Sequence, residues 1–113
     1  MITKIRRQNG IAIVEPNGKI MGPTSSELWD AILPQIETSD APRILINFEN
    51  VSKIDSSGLG ALMVARSAIA RKKGRVGVVN VAKQIKNLII LSRLASLFEH
   101  YDSEAAAVAA LAA

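Results

Sequence analysis

The sequence predicts an α/β fold: one domain over residues 1–113, with a mixed central sheet of about four to five strands, helices packed mainly on one face, and the element order ββαβαβαβα. Three observations carry this expectation. Two nearly continuous apolar runs, Ile44-Leu45-Ile46-Asn47-Phe48 and Val76-Gly77-Val78-Val79-Asn80-Val81, have the pattern of strands buried on both faces. An amphipathic stretch lies between them, which makes a right-handed βαβ unit and parallel pairing. Ahead of both, an Asn9-Gly10 turn joins two short alternating segments and marks an antiparallel hairpin.

From the N-terminus, Thr3 to Gln8 alternates around Ile5, and Ile11-Ala12-Ile13-Val14 returns as the second strand. Pro16-Asn17-Gly18 is expected to interrupt that strand before Lys19-Ile20-Met21 resumes it. Thr24-Ser25-Ser26-Glu27 matches a capping box, in which threonine oxygen and glutamate carboxylate satisfy each other's backbone donors. The helix that follows should bury Leu28, Ile32 and Ile36, with Leu33 at the margin and Trp29 packing at the boundary. Pro34 removes one hydrogen bond and predicts a kink or an end to the regular helix near Leu33. Asp40-Ala41-Pro42 is a loop before the first buried strand.

After that strand, Asp55, Ser56 and Ser57 are capping residues at the start of a second helix, from Leu59 to about Lys73. Leu59, Leu62, Met63 and Ile69 should share its buried face. The cluster Arg71-Lys72-Lys73-Gly74-Arg75 lies where this helix ends: cations complement the dipole and Gly74 supplies the stop. Val81, Ile85, Leu88 and Ile89 continue as a short amphipathic helix after the second buried strand. Leu97 to Tyr101 reads as a short edge strand, and Asp102-Ser103 caps a last, alanine-rich helix from Glu104 with a shallow packing surface.

Composition narrows the function. No apolar run approaches the roughly 18–20 residues that cross a bilayer, so no membrane insertion is expected. Met1-Ile-Thr-Lys-Ile-Arg-Arg alternates too strictly for a secretory signal. The absence of cysteine excludes disulfides and thiolate metal sites and fits the cytoplasm. A formal charge of +4 is spread along the chain and reads first as solubility. With one Trp, one Tyr and two Phe there is no aromatic interleaving for single-stranded nucleic acid, so no direct nucleic-acid partner is expected. An enzyme is disfavoured: a serine nucleophile needs a base, and the one histidine, His100, falls on a late strand far from the serines. Gly58-Leu59-Gly60 lacks the remaining glycine and downstream acid of a dinucleotide loop, and the Lys-Ser/Thr of a P-loop. No cofactor is implied.

The informative stretch is Ile54-Asp55-Ser56-Ser57-Gly58-Leu59-Gly60. Its plain reading is a helix cap, but one cap suffices and three candidates are present, so two polar side chains are left for the surface. A serine hydroxyl at a helix N-terminus stands beside unpaired N–H groups that suit an anion. The two glycines let a partner backbone or a phosphate come close.

This stretch, after Asn-Phe-Glu-Asn-Val-Ser and before an apolar helix, resembles the STAS domain, and more narrowly the bacterial anti-sigma factor antagonists. Gly18-Lys19-Ile20, Lys73-Gly74, Ser92-Arg93-Leu94, Leu97-Phe98 and the alanine-rich end extend the resemblance over nearly the whole chain. The resemblance implies that Ser56 is phosphorylated by an anti-sigma factor that is itself a serine kinase. It implies that the unphosphorylated form binds that factor and frees a sigma factor, and that a phosphoserine phosphatase restores binding. It further implies a partner surface of Asp55, Ser56, Ser57, Gly58, Leu59, Gly60 and Met21, with Ser57 capping the helix or touching the partner. Met21 is a departure, because the best-known members carry an aspartate there that matters at the kinase interface. The competing reading is an accessory STAS subunit of an ATP-binding cassette lipid transport complex. Exposed edge strands leave pairing into a homodimer open.

Overall fold

The computed structural model describes residues 2–113; Met1, the first residue of the alternating N-terminal stretch, lies outside them. The strands are β1 (Ile2–Gln8), β2 (Ile11–Ile20), β3 (Arg43–Asn47), β4 (Val51–Ile54), β5 (Arg75–Val79) and β6 (Glu99–Tyr101). The helices are α1 (Thr24–Glu37), α2 (Ser56–Arg71), α3 (Lys83–Leu91) and α4 (Glu104–Ala112), with one 3-10 turn at Ala95–Leu97. The sheet order is β1-β2-β3-β5-β6, and β4 pairs with the far half of β2. The expected order therefore holds with one short strand added between β3 and α2.

The hairpin forms as its turn chemistry requires: Asn9 and Gly10 both hold positive φ, 53° and 80°, and Gln8 pairs with Ile11. β2, β3, β5 and β6 then run parallel, connected through α1, α2 and α3. Pro16 to Gly18 do not interrupt β2. Thr3 pairs with Pro16 and Ile2 with Asn17, so the strand stays continuous, and Gly18 at φ +110° marks a register shift as β2 passes from β3 to β4.

Alternation along the strands builds two cores. Ala12, Val14, Ile20, Ile44, Ile46, Val76 and Val78 face α1, α2 and α3. Ile11, Ile13, Leu45 and Val79 face the other way and are covered by Ala107, Val108 and Leu111 of α4. Helices thus lie mainly on one face, as the sequence predicts. α1 buries Leu28, Ile32 and Ile36, with Trp29 packed at the margin of the same core. It does not end at Leu33 but runs through Pro34 to Glu37. The capping box does not form: Pro23 occupies the N-cap without a side-chain bond, and the Thr24 hydroxyl instead accepts from the Met21 amide at 2.8 Å.

Two apolar side chains expected inside are outside. Met63 and Leu88 are 45% and 39% exposed, and on α2 the small Ala65 takes the inward place. The end of α2 also differs from expectation. Lys73, at φ 57°, adopts the left-handed turn expected of Gly74. Gly74 is needed for space, because a Cβ there would lie 2.2 Å from the Pro42 carbonyl oxygen.

Candidate functional site

The residues expected to form the site meet where β2 and β4 finish side by side, with Ile20 opposite Ile54. Met21 follows one strand and Asp55 the other, so two segments distant in sequence meet at one corner. Asp55 joins them. In extended conformation it is the N-cap of α2; its Oδ1 accepts from the Gly58 amide at 3.0 Å and its Oδ2 from the Gly22 amide at 3.1 Å. The Asp55 amide donates to the Ile20 carbonyl at 3.3 Å. One carboxylate therefore caps the helix and ties down the turn after Met21.

With the cap supplied by Asp55, neither serine is used for it. Ser56 and Ser57 are exposed, and among the described residues neither hydroxyl has a hydrogen-bond partner. Ser57 does not cap the helix, one of the two roles the resemblance offers for it. Their own amides precede the first intrahelical bond, from the Leu59 amide to the Asp55 carbonyl, and so point outward at the positive end of the helix dipole.

The two glycines have different jobs. A Cβ on Gly58 would sit 2.5 Å from Ile54 Cγ1 and 2.6 Å from the Ile20 carbonyl oxygen, so Gly58 lets α2 settle on the strand ends. It is buried, as is Leu59, which belongs to the core. These two positions, grouped with the partner surface above, face inward. Around Gly60 a Cβ would meet nothing within 4 Å. Helical spacing continues the open strip from Ser56 through Gly60 to Met63 and Val64, which are 45% and 51% exposed, while Met21 is 38% exposed beside Asp55. Met63 and Val64 are surface residues that sequence reasoning missed. Their signal was available, since they lie four residues or fewer from Gly60, but periodicity assigned Met63 to the core.

Clefts of about 200 and 240 Å³ lie elsewhere, one between α3 and β6 beside Lys86 and His100, the other beside Arg66 and Arg75. His100, on β6, hydrogen-bonds the Ala95 carbonyl at 2.7 Å. His100 lies on β6, paired with β5 at the edge of the sheet, whereas Ser56 follows β4, which pairs with β2. Among the described residues no group of His, Cys, Asp and Glu side chains is arranged to hold a metal, and no helix is long and apolar enough to cross a membrane.

Comparison with known proteins places this geometry in context. The anti-sigma F factor antagonist of Paenibacillus polymyxa is 26% identical over 108 residues, covering 96% of this chain and 92% of that protein. An anti-sigma factor antagonist from Mycobacterium paratuberculosis has a solved structure that superposes with a TM-score of 0.84 at 25% identity, over 97% of this chain and 92% of that one. An anti-sigma-factor antagonist (STAS) domain protein from Planctomyces limnophilus superposes at 0.90 with 13% identity, over 98% of each chain. The family model for the STAS domain matches residues 3–107, and the chain belongs to the STAS domain family.

Proposed function

We propose that this chain is an anti-sigma factor antagonist, a non-catalytic protein-binding module of the cytoplasm that is switched by phosphorylation of Ser56. In this reading the unphosphorylated form holds an anti-sigma factor that is itself a serine kinase, and a sigma factor is released. Transfer of a phosphoryl group to Ser56 ends the complex, and a phosphoserine phosphatase restores it. The names borne by the relatives in P. polymyxa and M. paratuberculosis support the role.

The observation that carries the reading is the state of Ser56: an exposed, uncommitted hydroxyl at a helix end whose cap is already supplied by Asp55. A phosphate there adds about −1.5 to −2 charges and several acceptor oxygens. The free amides of the first turn accommodate them, so the fold is retained. A partner pressed on the strip formed by Ser56, Gly60, Met63, Val64 and Met21 would instead meet bulk and an unpaired dianion, with the Asp55 carboxylate adding to the repulsion. Each factor of ten in affinity corresponds to about 1.4 kcal/mol, so local blockade is sufficient and no conformational change is required.

The test is phosphopeptide mapping by mass spectrometry after incubation with ATP and each anti-sigma factor kinase of the host, alongside binding of wild type and S56E. Modification at Ser56, absent in S56A, and at least about tenfold weaker binding by S56E are expected. Modification at Ser57 alone, or undiminished binding by S56E, overturns the assignment.

A further inference from the structure

Two cations stand side by side where the strands enter the site. Lys19 on β2 and Lys53 on β4 are direct neighbours in the parallel ladder. Both are exposed, and among the described residues neither side chain has a hydrogen bond or an ion pair. Like charges set directly opposite one another disfavour a ladder, so the pair is not what holds β2 and β4 together.

The register that creates the pair is not the default. Gly18 is opposite Val51, so a regular continuation would place Lys19 against Ser52; instead the register shifts and Lys19 lies against Lys53, with Ile20 against Ile54. The shift is explained by the core, since Ile20 and Ile54 are both buried among the helices. That requirement leaves the two outward positions free to be anything polar. Side chains alternate along a strand, so both lysines project from the opposite side of the strand ends. Two residues further on, β2 reaches Met21 and β4 reaches Asp55.

We infer that Lys19 and Lys53 form a cationic rim to the docking surface around Ser56 and receive an acidic cluster on the anti-sigma factor. This rests on the function proposed above and adds to it the charge of the surface that fits. The apolar strip on α2 with Met21 supplies desolvated contact, and the lysine pair supplies orientation and encounter rate, the usual contribution of rim charges. A second copy of this chain is a poor occupant: it would bring the same lysine pair and a further formal charge of +4. Nucleic acid is a poor one too, because the exposed neighbours are Met21 and the two serines, with no aromatic platform for a base.

The experiment measures association kinetics between the purified anti-sigma factor and four forms of the chain, at ionic strengths from low to high. The forms are wild type, K19E/K53E, K83E/K86E as a charge-matched control on α3, and S56E; thermal melts establish that each is folded. At low salt K19E/K53E should associate about tenfold more slowly than wild type, the difference should vanish at high salt, and K83E/K86E should behave as wild type. K19Q/K53Q should fall between. If K19E/K53E keeps the wild-type rate and salt slope while S56E still abolishes binding, the cationic rim is wrong and the phospho-switch stands. Equal losses in both double variants reduce the effect to net charge and also overturn the rim. Loss of binding to DNA or to anionic vesicles, with the anti-sigma factor complex unaffected, overturns it in favour of those surfaces. Unweakened binding by S56E identifies failure of the underlying function instead.

Discussion

Gly58 and Gly60 show how much a single position depends on what approaches it. Two residues apart on α2, they look interchangeable in the sequence, as paired openings for a partner. The structure separates them: Gly58 is pressed against Ile54 and the Ile20 carbonyl, and Gly60 faces open space. Gly58→Ala should therefore lower stability by about 1–3 kcal/mol, because backbone and a buried isoleucine must move to admit the methyl. Gly60→Ala should leave stability unchanged or raise it by up to about 1 kcal/mol, since alanine is the better helix former. Urea denaturation of the two variants checks this contrast. Equal midpoints would show that α2 does not sit on the strand ends as closely as described. The bridging of Gly58 and Gly22 by Asp55 was equally illegible, because it joins positions 33 residues apart. That Asp55 caps at all was legible, since a cap signal is local.

The elements themselves were read from local pattern, and the errors fall where pattern gives no direction. Ile32, Ile36, Ile85 and Ile89 repeat at four-residue spacing and are buried. Met63 and Leu88 fit the same spacing, yet periodicity cannot say which edge of an apolar stripe the sheet covers. β4 has only four residues and is defined by its pairing to β2, a long-range contact. The basic cluster after α2 was assigned to that helix's own dipole, and part of it serves another element. Lys72 Nζ donates to the carbonyls of Ile36 and Ser39 at 2.9 and 2.8 Å, closing the C-terminal end of α1. That end has no basic residue of its own in its last turn. Lys72→Met keeps the stem but removes both charge-assisted bonds, leaving the Ser39 carbonyl without this donor and the Ile36 carbonyl with only the long 3.5 Å bond from the Ser39 amide, so it should cost about 1–2 kcal/mol. Hydrogen exchange should locate the loss in the last turn of α1. Protection lost only in α2 would contradict the cross-helix cap.

Across the whole molecule the two faces of the sheet are secured differently, and acid should reveal it. The α1–α3 face is held by a large apolar core, whereas α4 is a thin cover whose attachments include polar bonds at its C-terminal end. Arg43 donates to the Leu111 carbonyl at 2.8 Å, and Arg75 to the Ala110 carbonyl at 3.1 Å. Arg75 also holds Glu99 of β6 in a bidentate pair, at 2.9 and 2.5 Å, and the Tyr101 hydroxyl donates to the same carboxylate. The Arg75 bond holds the Glu99 carboxyl below the usual carboxylate range, outweighing the opposing effect of burial, with the Tyr101 bond assisting. A carboxylate whose folded pKa is depressed contributes stability that is fully present above its unfolded pKa and is lost as pH falls through the lower, folded value. Both partners are 38% exposed, so solvent screening limits the contribution to that of a surface pair, about 1 kcal/mol or less. Glu99→Gln removes the titration while keeping the shape. Its unfolding free energy should lie below that of wild type at neutral pH and approach it as pH falls through the acid range where Glu99 protonates. If the gap between the two curves stays constant from neutral to acid pH, Glu99 is not the group through which β6 and the α4 side of the sheet respond to protons.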